Sequence, residues 1–265
     1  TKIFFKNTCI NVDGLEWLRP KWRGLGSIYF KISSKFATFF FDQIITDSAE
    51  MSKIYKLKYK KDSTVIAYGS TMTDTNESFL LNEYGLSKNE YYLIVGRLIP
   101  DNNSKFICQE FLKSNSKKKI VIVGDVPYND SYANNIKLMA NDRVVITGYI
   151  KSQEHLTQLY KNCYCYIHGH EFGGTNPTMV NALDLNCNII ALNTIFNKEM
   201  LINKKAIFFE KKINSFRDSI LKFENEINFF NSQNLKYRLP NNYDWDHITK
   251  QYYTLFCKIT SFRNK

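Results

Sequence analysis

The sequence predicts an α/β chain organised around a doubly wound parallel sheet, and three observations carry that prediction. From Tyr91 onward, strand-like apolar runs recur every ~20–28 residues, too far apart for hairpins and right for βαβ units. Glycine stands at the exits of several of these runs, at Gly96, Gly124 and Gly148. Stretches suited to helices, such as Lys105–Leu112 and Gln153–Tyr160, fall between them. In such sheets ligands bind beyond the carboxyl ends of the strands, which directs attention to Gly96-Arg97, Gly124-Asp125 and Gly148-Tyr149.

Taken in order, the chain opens with two short apolar runs, Ile3–Phe5 and Cys9–Val12, ending at Asp13-Gly14. Leu25, Ile28, Tyr29, Ile32, Phe36 and Phe39 then recur at helical spacing, among Arg19, Lys21, Arg23, Lys31 and Lys35. Most such stripes pack into a core; a basic amphipathic helix can also lie on a membrane surface. Gln43–Thr46 reads as a strand, with Asp47 or Ser48 capping a helix toward Lys58. Thr64–Tyr68 is another strand closed by Gly69, and the polar stretch Ser70–Glu90 reads as a linker. The regular series follows: Tyr91–Val95, Lys119–Val123, Arg143–Thr147, Cys163–His168, Asn188–Leu192 and Ala206–Phe209. Ile213–Phe230 is expected as a helix, Asn231–Asn242 as a loop and Asp244–Phe262 as a last helix.

The most informative stretch is CYCYIHGHEFGGTNPTMVNAL, Cys163–Leu183. It reads as strand, glycine-rich turn and helix N-terminus. Asn176 suits the N-cap, and Pro177 the first helical position, where its missing N–H is no loss. Such a turn aims unpaired amides and a positive dipole end at one spot, which favours phosphate. An ordinary tight βα turn has the same composition; the order Glu171, Gly173-Gly174, Asn176-Pro177 is what adds chemistry.

Hydrophobic residues at 44% exclude a disordered chain, and 36 Lys+Arg against 25 Asp+Glu give a formal charge of +11. That balance suits an anionic partner or simply a solvated surface. With no nucleic-acid motif, nucleic acid is not expected as a partner. The six cysteines show no CxxC spacing, His168 and His170 lack further ligands beyond Glu171, and no metal site is expected. With no secretory signal at Thr1 and no spanning apolar window of ~18 residues, a cytoplasmic location is expected.

YLIVGRLIPDNN, the glycine-terminated strands, HGHEFGGTNPTMVNAL and YDWDHITKQY resemble the donor half of a GT-B glycosyltransferase. More narrowly they resemble the retaining family-four branch that includes bacterial rhamnosyltransferases. INVDGLEWLRPKW, FFDQIITDSAE and DSTVIAYGS are similar to that branch's acceptor domain. The resemblance implies a partial Rossmann-like acceptor domain over 1–75, a donor nucleotide-sugar domain over 76–240 and a crossing-back helix over 241–265. It implies a retaining, metal-independent hexosyltransferase with no cofactor. The sugar, rhamnose or another hexose, would pass from a nucleotide diphosphate to a glycan or lipid-linked acceptor in surface polysaccharide synthesis. Arg97 would meet the diphosphate, Glu171 the sugar hydroxyls, and the amides of Gly173, Gly174, Thr175 and Asn176 a phosphate. Asp13 and Glu16 match the acceptor-facing loop, which makes Asp13 and Glu171 the catalytic candidates. Tyr149 would pack on the nucleobase. Apart from the resemblance, the aromatic and basic residues of Trp17–Phe41 suggest peripheral contact with anionic lipid.

Three departures from the family pattern stand out. Asn102 occupies a place where many relatives carry lysine, and Asn181 one where they usually carry glutamate to grip the ribose. An amide still hydrogen-bonds a hydroxyl or phosphate, without charge assistance when it accepts. The N-terminal part of the acceptor domain is expected to be missing. These departures favour the alternative, a non-catalytic GT-B-like module that binds a nucleotide or a partner.

Overall fold

The structure, a computed structural model, describes residues 7–12, 14–72 and 78–261. In chain order the strands are β1 (Cys9–Val12), β2 (Gln43–Thr46), β3 (Thr64–Val65), β4 (Tyr91–Val95), β5 (Lys119–Val123), β6 (Val144–Gly148), β7 (Cys165–His168), β8 (Ile189–Leu192) and β9 (Ala206–Phe209). The helices are α1 (Leu25–Phe40), α2 (Ala49–Tyr59), α3 (Ser104–Leu112), α4 (Ser131–Lys137), α5 (Gln153–Asn162), α6 (Pro177–Asp184), α7 (Ile195–Met200), α8 (Ser215–Asn225), α9 (Ile227–Asn234) and α10 (Trp245–Ser261). The chain is α/β, with parallel sheets and flanking helices.

The chain divides into two compact units. The smaller comprises the described residues within Thr1–Ser70, Phe172–Val180 and Pro240–Lys265. Its sheet runs β1-β2-β3, all parallel. Ser48 caps α2 by accepting from the Met51 amide at 3.2 Å. Ile45 and Ile66 pack with Ile248, Leu255 and Ile259, the apolar face of α10. The third strand is shorter than Thr64–Tyr68, although Ile66 still donates its amide to Thr46 O at 2.8 Å. The apolar stripe of α1 departs from core-forming expectation: none of its residues is buried. Ile3–Phe5 lies outside the described residues.

The larger unit comprises the described residues within Thr71–Glu171 and Asn181–Leu239. Its six parallel strands run in the order β6-β5-β4-β7-β8-β9. All five residues of β4 and all four of β7 and β8 are buried, which explains their near-continuous apolar composition. Tyr92, Ile94, Phe111, Ile122, Ile190 and Phe223 belong to one core cluster. Each such side chain stabilises the fold by about 1.5–3 kcal/mol through burial.

Two expectations in this unit are corrected. The stretch read as a linker holds a 3₁₀ turn at Ser78–Tyr84 and buries Leu80, Leu81 and Leu86. Asn82, Glu83, Ser87, Lys88, Asn89 and Glu90 are exposed and hide those three apolar anchors from a composition count. The helix expected over Ile213–Phe230 breaks at Glu226, whose φ of −107° and ψ of 15° separate α8 from α9. Helix α9 then continues into the stretch expected as a loop, because Phe230 is buried against the core and holds it there.

Candidate functional site

The strand order fixes where a site belongs. From β4 the chain moves outward through β5 and β6, then returns to β7 beside β4 and moves outward again. The switch point is therefore between β4 and β7, and their carboxyl ends face the place where such sheets bind ligands. Arg97 follows the end of β4, and Glu171 follows the end of β7.

Arg97 is exposed, and its backbone carbonyl organises the loop. It accepts from the Ile99 amide at 2.9 Å and from Asn102 Nδ2 at 2.8 Å. Asn102 is buried, so its amide serves this loop. Asn103 sits next to it in the left-handed region, φ 58°, which asparagine tolerates better than most residues. Its Nδ2 donates to Gly169 O at 2.8 Å and to Glu171 Oε1 at 3.0 Å. One amide thus ties the exit of β4 to the exit of β7. The two segments approach closely enough that a Cβ on Gly169 would lie 2.5 Å from Asn102 O.

Glu171 is held from three sides. Its amide donates to Asp101 O at 3.0 Å, and its Oε1 accepts from Asn103 and pairs with the Lys211 ammonium. The side chain keeps 18% of its surface exposed, so the carboxylate is oriented and only partly covered. His170 sits between the strand and this acid, and its carbonyl accepts from Asn197 Nδ2 at 3.2 Å. The rings of His168 and His170 stack with centroids 4.4 Å apart. Burial, and then the neighbouring His170, push His168 well below the ordinary histidine range, so it is a neutral core residue beneath the site.

Asn181, on α6, is buried and accepts from the Thr71 amide at 3.1 Å. Gln153 Nε2 donates to Thr71 O at 2.9 Å, so the start of the larger unit is pinned at both backbone groups. Tyr149 is 73% exposed just beyond β6, two strands from β4 in the sheet order.

Within the smaller unit, the glycine turn packs on the connection between β2 and α2. A Cβ on Gly174 would overlap Asp47 Oδ1 and Ser48 Oγ, and the Thr175 hydroxyl donates to Asp47 O. Asn176 Oδ1 accepts from the Thr178 amide at 3.0 Å and caps the first turn of α6. No described residue accepts from the amides of Gly173, Gly174 or Thr175. With the dipole of α6 behind them, these amides are equipped to hold an anion. Glu16 pairs with Arg19 at 2.7 Å and accepts from Trp22 Nε1 at 2.8 Å, a local clamp within its own loop. Asp13 lies outside the described residues.

Sequence reasoning missed Asn103, Lys211 and Asp47 as neighbours of these groups. Asn103 carried a faint signal, an asparagine beside a turn. Lys211 carried none, because only the sheet brings it to an acid 40 positions earlier. Among the described residues no group of three or more His, Cys, Asp or Glu side chains could hold a metal ion.

Comparison with known proteins adds a family and a fold. A family model described as "Glycosyl transferases group 1" matches residues 77–235, and a domain of unknown function, DUF1972, matches residues 4–71. No curated protein matches the sequence. Among solved structures, a TarM mutant from S. aureus in complex with fondaparinux, alpha-GlcNAc-glycerol and UDP is 15% identical, with a TM-score of 0.69 over 94% of this chain. This chain spans 50% of that protein's length. Sucrose-phosphate synthase from Thermosynechococcus elongatus is 13% identical, with a TM-score of 0.78 over 96% of this chain and 68% of that one. The pneumococcal O-GlcNAc transferase GtfA, in complex with UDP and GlcNAc, is 12% identical, with a TM-score of 0.70 over 95% of this chain and 52% of that one. At these identities the likeness is one of fold.

Proposed function

The chain belongs to the glycosyl transferases group 1 family, and from that membership we propose that it moves a sugar from a nucleoside diphosphate to a glycan or lipid-linked acceptor. The observation that carries this reading is the placement of an exposed Arg97 and a pinned Glu171 at the exits of the two adjacent strands that form the switch point of the larger sheet. UDP in the complexes of TarM and GtfA supports a uridine nucleotide as the first donor class to test. Rhamnose or another hexose is the sugar the motifs favour, within surface polysaccharide synthesis.

Each residue has a chemical task in this reading. Departure of the nucleoside diphosphate develops negative charge on its outer phosphate. Arg97 supplies a positive charge for that phosphate, and within the smaller unit the amides of Gly173, Gly174 and Thr175 offer dipoles suited to an anion. Glu171, with Oε1 held by Asn103 and Lys211, presents its remaining lone pairs to sugar hydroxyls. Same-face attack, with the leaving phosphate taking the acceptor's proton, retains configuration and asks for no strong side-chain base or metal. Tyr149 offers a ring to a nucleobase, and Asp13 and Glu16 would serve the acceptor.

A second reading, a non-catalytic module that binds a nucleotide or a partner, draws on two observations. The Asn102 amide is engaged with Arg97 O, and the Asn181 oxygen with Thr71. Incubation with uridine, guanosine and thymidine diphosphate sugars separates the two readings. Hydrolysis or transfer with retained anomeric configuration supports the enzyme. Binding without any turnover supports the module.

A further inference from the structure

Helix α1 is inside out. Its inward side carries Gly26, Ser27, Ser33, Ser34 and Ala37, and is anchored by Ser27 Oγ donating to Trp17 O at 2.8 Å and by Phe30 against the Trp22 ring. Its outward side carries Leu25, Ile28, Tyr29, Ile32, Phe36 and Phe39, each at least half exposed and Leu25 85% exposed. Leu25, Ile28, Ile32, Phe36 and Phe39 step by three or four residues, and Tyr29 lies one turn from Leu25 and Ile32, so the six form one continuous stripe of the helix. An inward side of small residues with only Phe30 and Phe40 half-buried, opposite a larger apolar stripe turned to water, is the reverse of a core-packing helix. An apolar patch of this kind marks an interaction surface.

The charges decide what covers it. Between Trp17 and Phe41 the sequence has Arg19, Lys21, Arg23, Lys31 and Lys35, and no Asp or Glu. Lys31 and Lys35 are exposed and flank the stripe along one side, one turn apart. Two copies meeting through this face would set those lysines against an all-cationic helix with no acid to answer them. An anionic bilayer surface offers what the face lacks, phosphate at the level of the ammonium groups and acyl chains for the apolar stripe. No described helix is long and apolar enough to cross a membrane.

We propose that α1 docks the protein on an anionic lipid surface, with Leu25, Ile28, Tyr29, Ile32, Phe36 and Phe39 in the acyl boundary and Lys31 and Lys35 on headgroup phosphates. This surface is independent of the donor-site reading.

Co-sedimentation of the 265-residue chain with vesicles tests it. Vesicles of phosphatidylcholine with phosphatidylglycerol should pellet the protein at low salt, and pure phosphatidylcholine should pellet about tenfold less or weaker. Ile32→Ser/Phe36→Ser and Lys31→Glu/Lys35→Glu should each lower partitioning by about tenfold or more. Both variants should keep wild-type helix content, since the changed side chains are exposed. Equal binding to neutral and anionic vesicles would overturn the proposal. So would variants that bind like wild type, or a wild type that forms a stable dimer in light scattering and binds no vesicle.

Discussion

The side-chain amide of Asn103 lies 3.0 Å from Glu171 Oε1 and spans the exits of two adjacent parallel strands. The bond makes the orientation of the acid a property of the β4 exit loop as much as of β7. Asn103→Gly keeps the left-handed backbone and removes only the amide. It should lower donor turnover about tenfold, the equivalent of one charge-assisted hydrogen bond of ~1.5 kcal/mol. Glu171→Gln should lose at least as much. A full-rate Asn103→Gly enzyme, measured by initial rates, would mean that Glu171 needs no such support.

Gly174 has no room for a methyl group, because Asp47 Oδ1 and Ser48 Oγ occupy the position. Gly174→Ala should destabilise the protein by about 1–3 kcal/mol through overpacking. Denaturant unfolding reads this directly, and wild-type stability in the variant would show that the turn moves freely off the β2–α2 connection.

Asn181 satisfies the Thr71 amide with its side-chain oxygen at 3.1 Å. Asn181→Asp retains an acceptor of the same shape, and Asn181→Leu leaves that amide without one. The leucine variant should cost about 1–3 kcal/mol and the aspartate variant clearly less. Equal losses in urea unfolding would assign the role of Asn181 to packing instead.

His168 is buried and neutral, with its pKa lowered first by burial and then by His170. The unfolded chain binds a proton near pH ~6.5 and the folded chain does not, so the unfolded state is favoured as pH falls below that value. Stability should drop by up to ~1.4 kcal/mol per pH unit from this one group between about pH 6.5 and 5, before most carboxylates titrate. Replacing the group by His168→Asn should flatten that slope in unfolding curves taken across the same range. An unchanged slope would place the acid sensitivity elsewhere.

Much of this architecture is legible in the residues, and the exceptions have physical causes. The strands of the larger unit announce themselves because parallel strands buried on both faces must be continuously apolar, as Tyr91–Val95 and Ile189–Leu192 are. Gly96-Arg97 and Gly169–Glu171 could be placed at strand exits for the same reason. Contacts made by the sheet itself were not legible: Lys211 reaches Glu171 only because β9 and β7 flank β8. Leu80, Leu81 and Leu86 were hidden by polar neighbours. The stripe of α1 was legible as a helix face, but periodicity says which residues share a face and not which way it turns.

The donor site itself is tested most directly by isothermal titration of the chain with uridine, guanosine and thymidine diphosphates, repeated on Arg97→Ala. At least one nucleoside diphosphate should bind one to one, with a Kd within about 1 μM to 1 mM, the range usual for enzyme substrates. Arg97→Ala should weaken it by about 1.5–3 kcal/mol, the cost of a hydrogen bond to a charged group, with unfolding unchanged because Arg97 is exposed. A folded chain that binds none of the three, or binds one equally well without Arg97, would contradict a diphosphate site at the exit of β4.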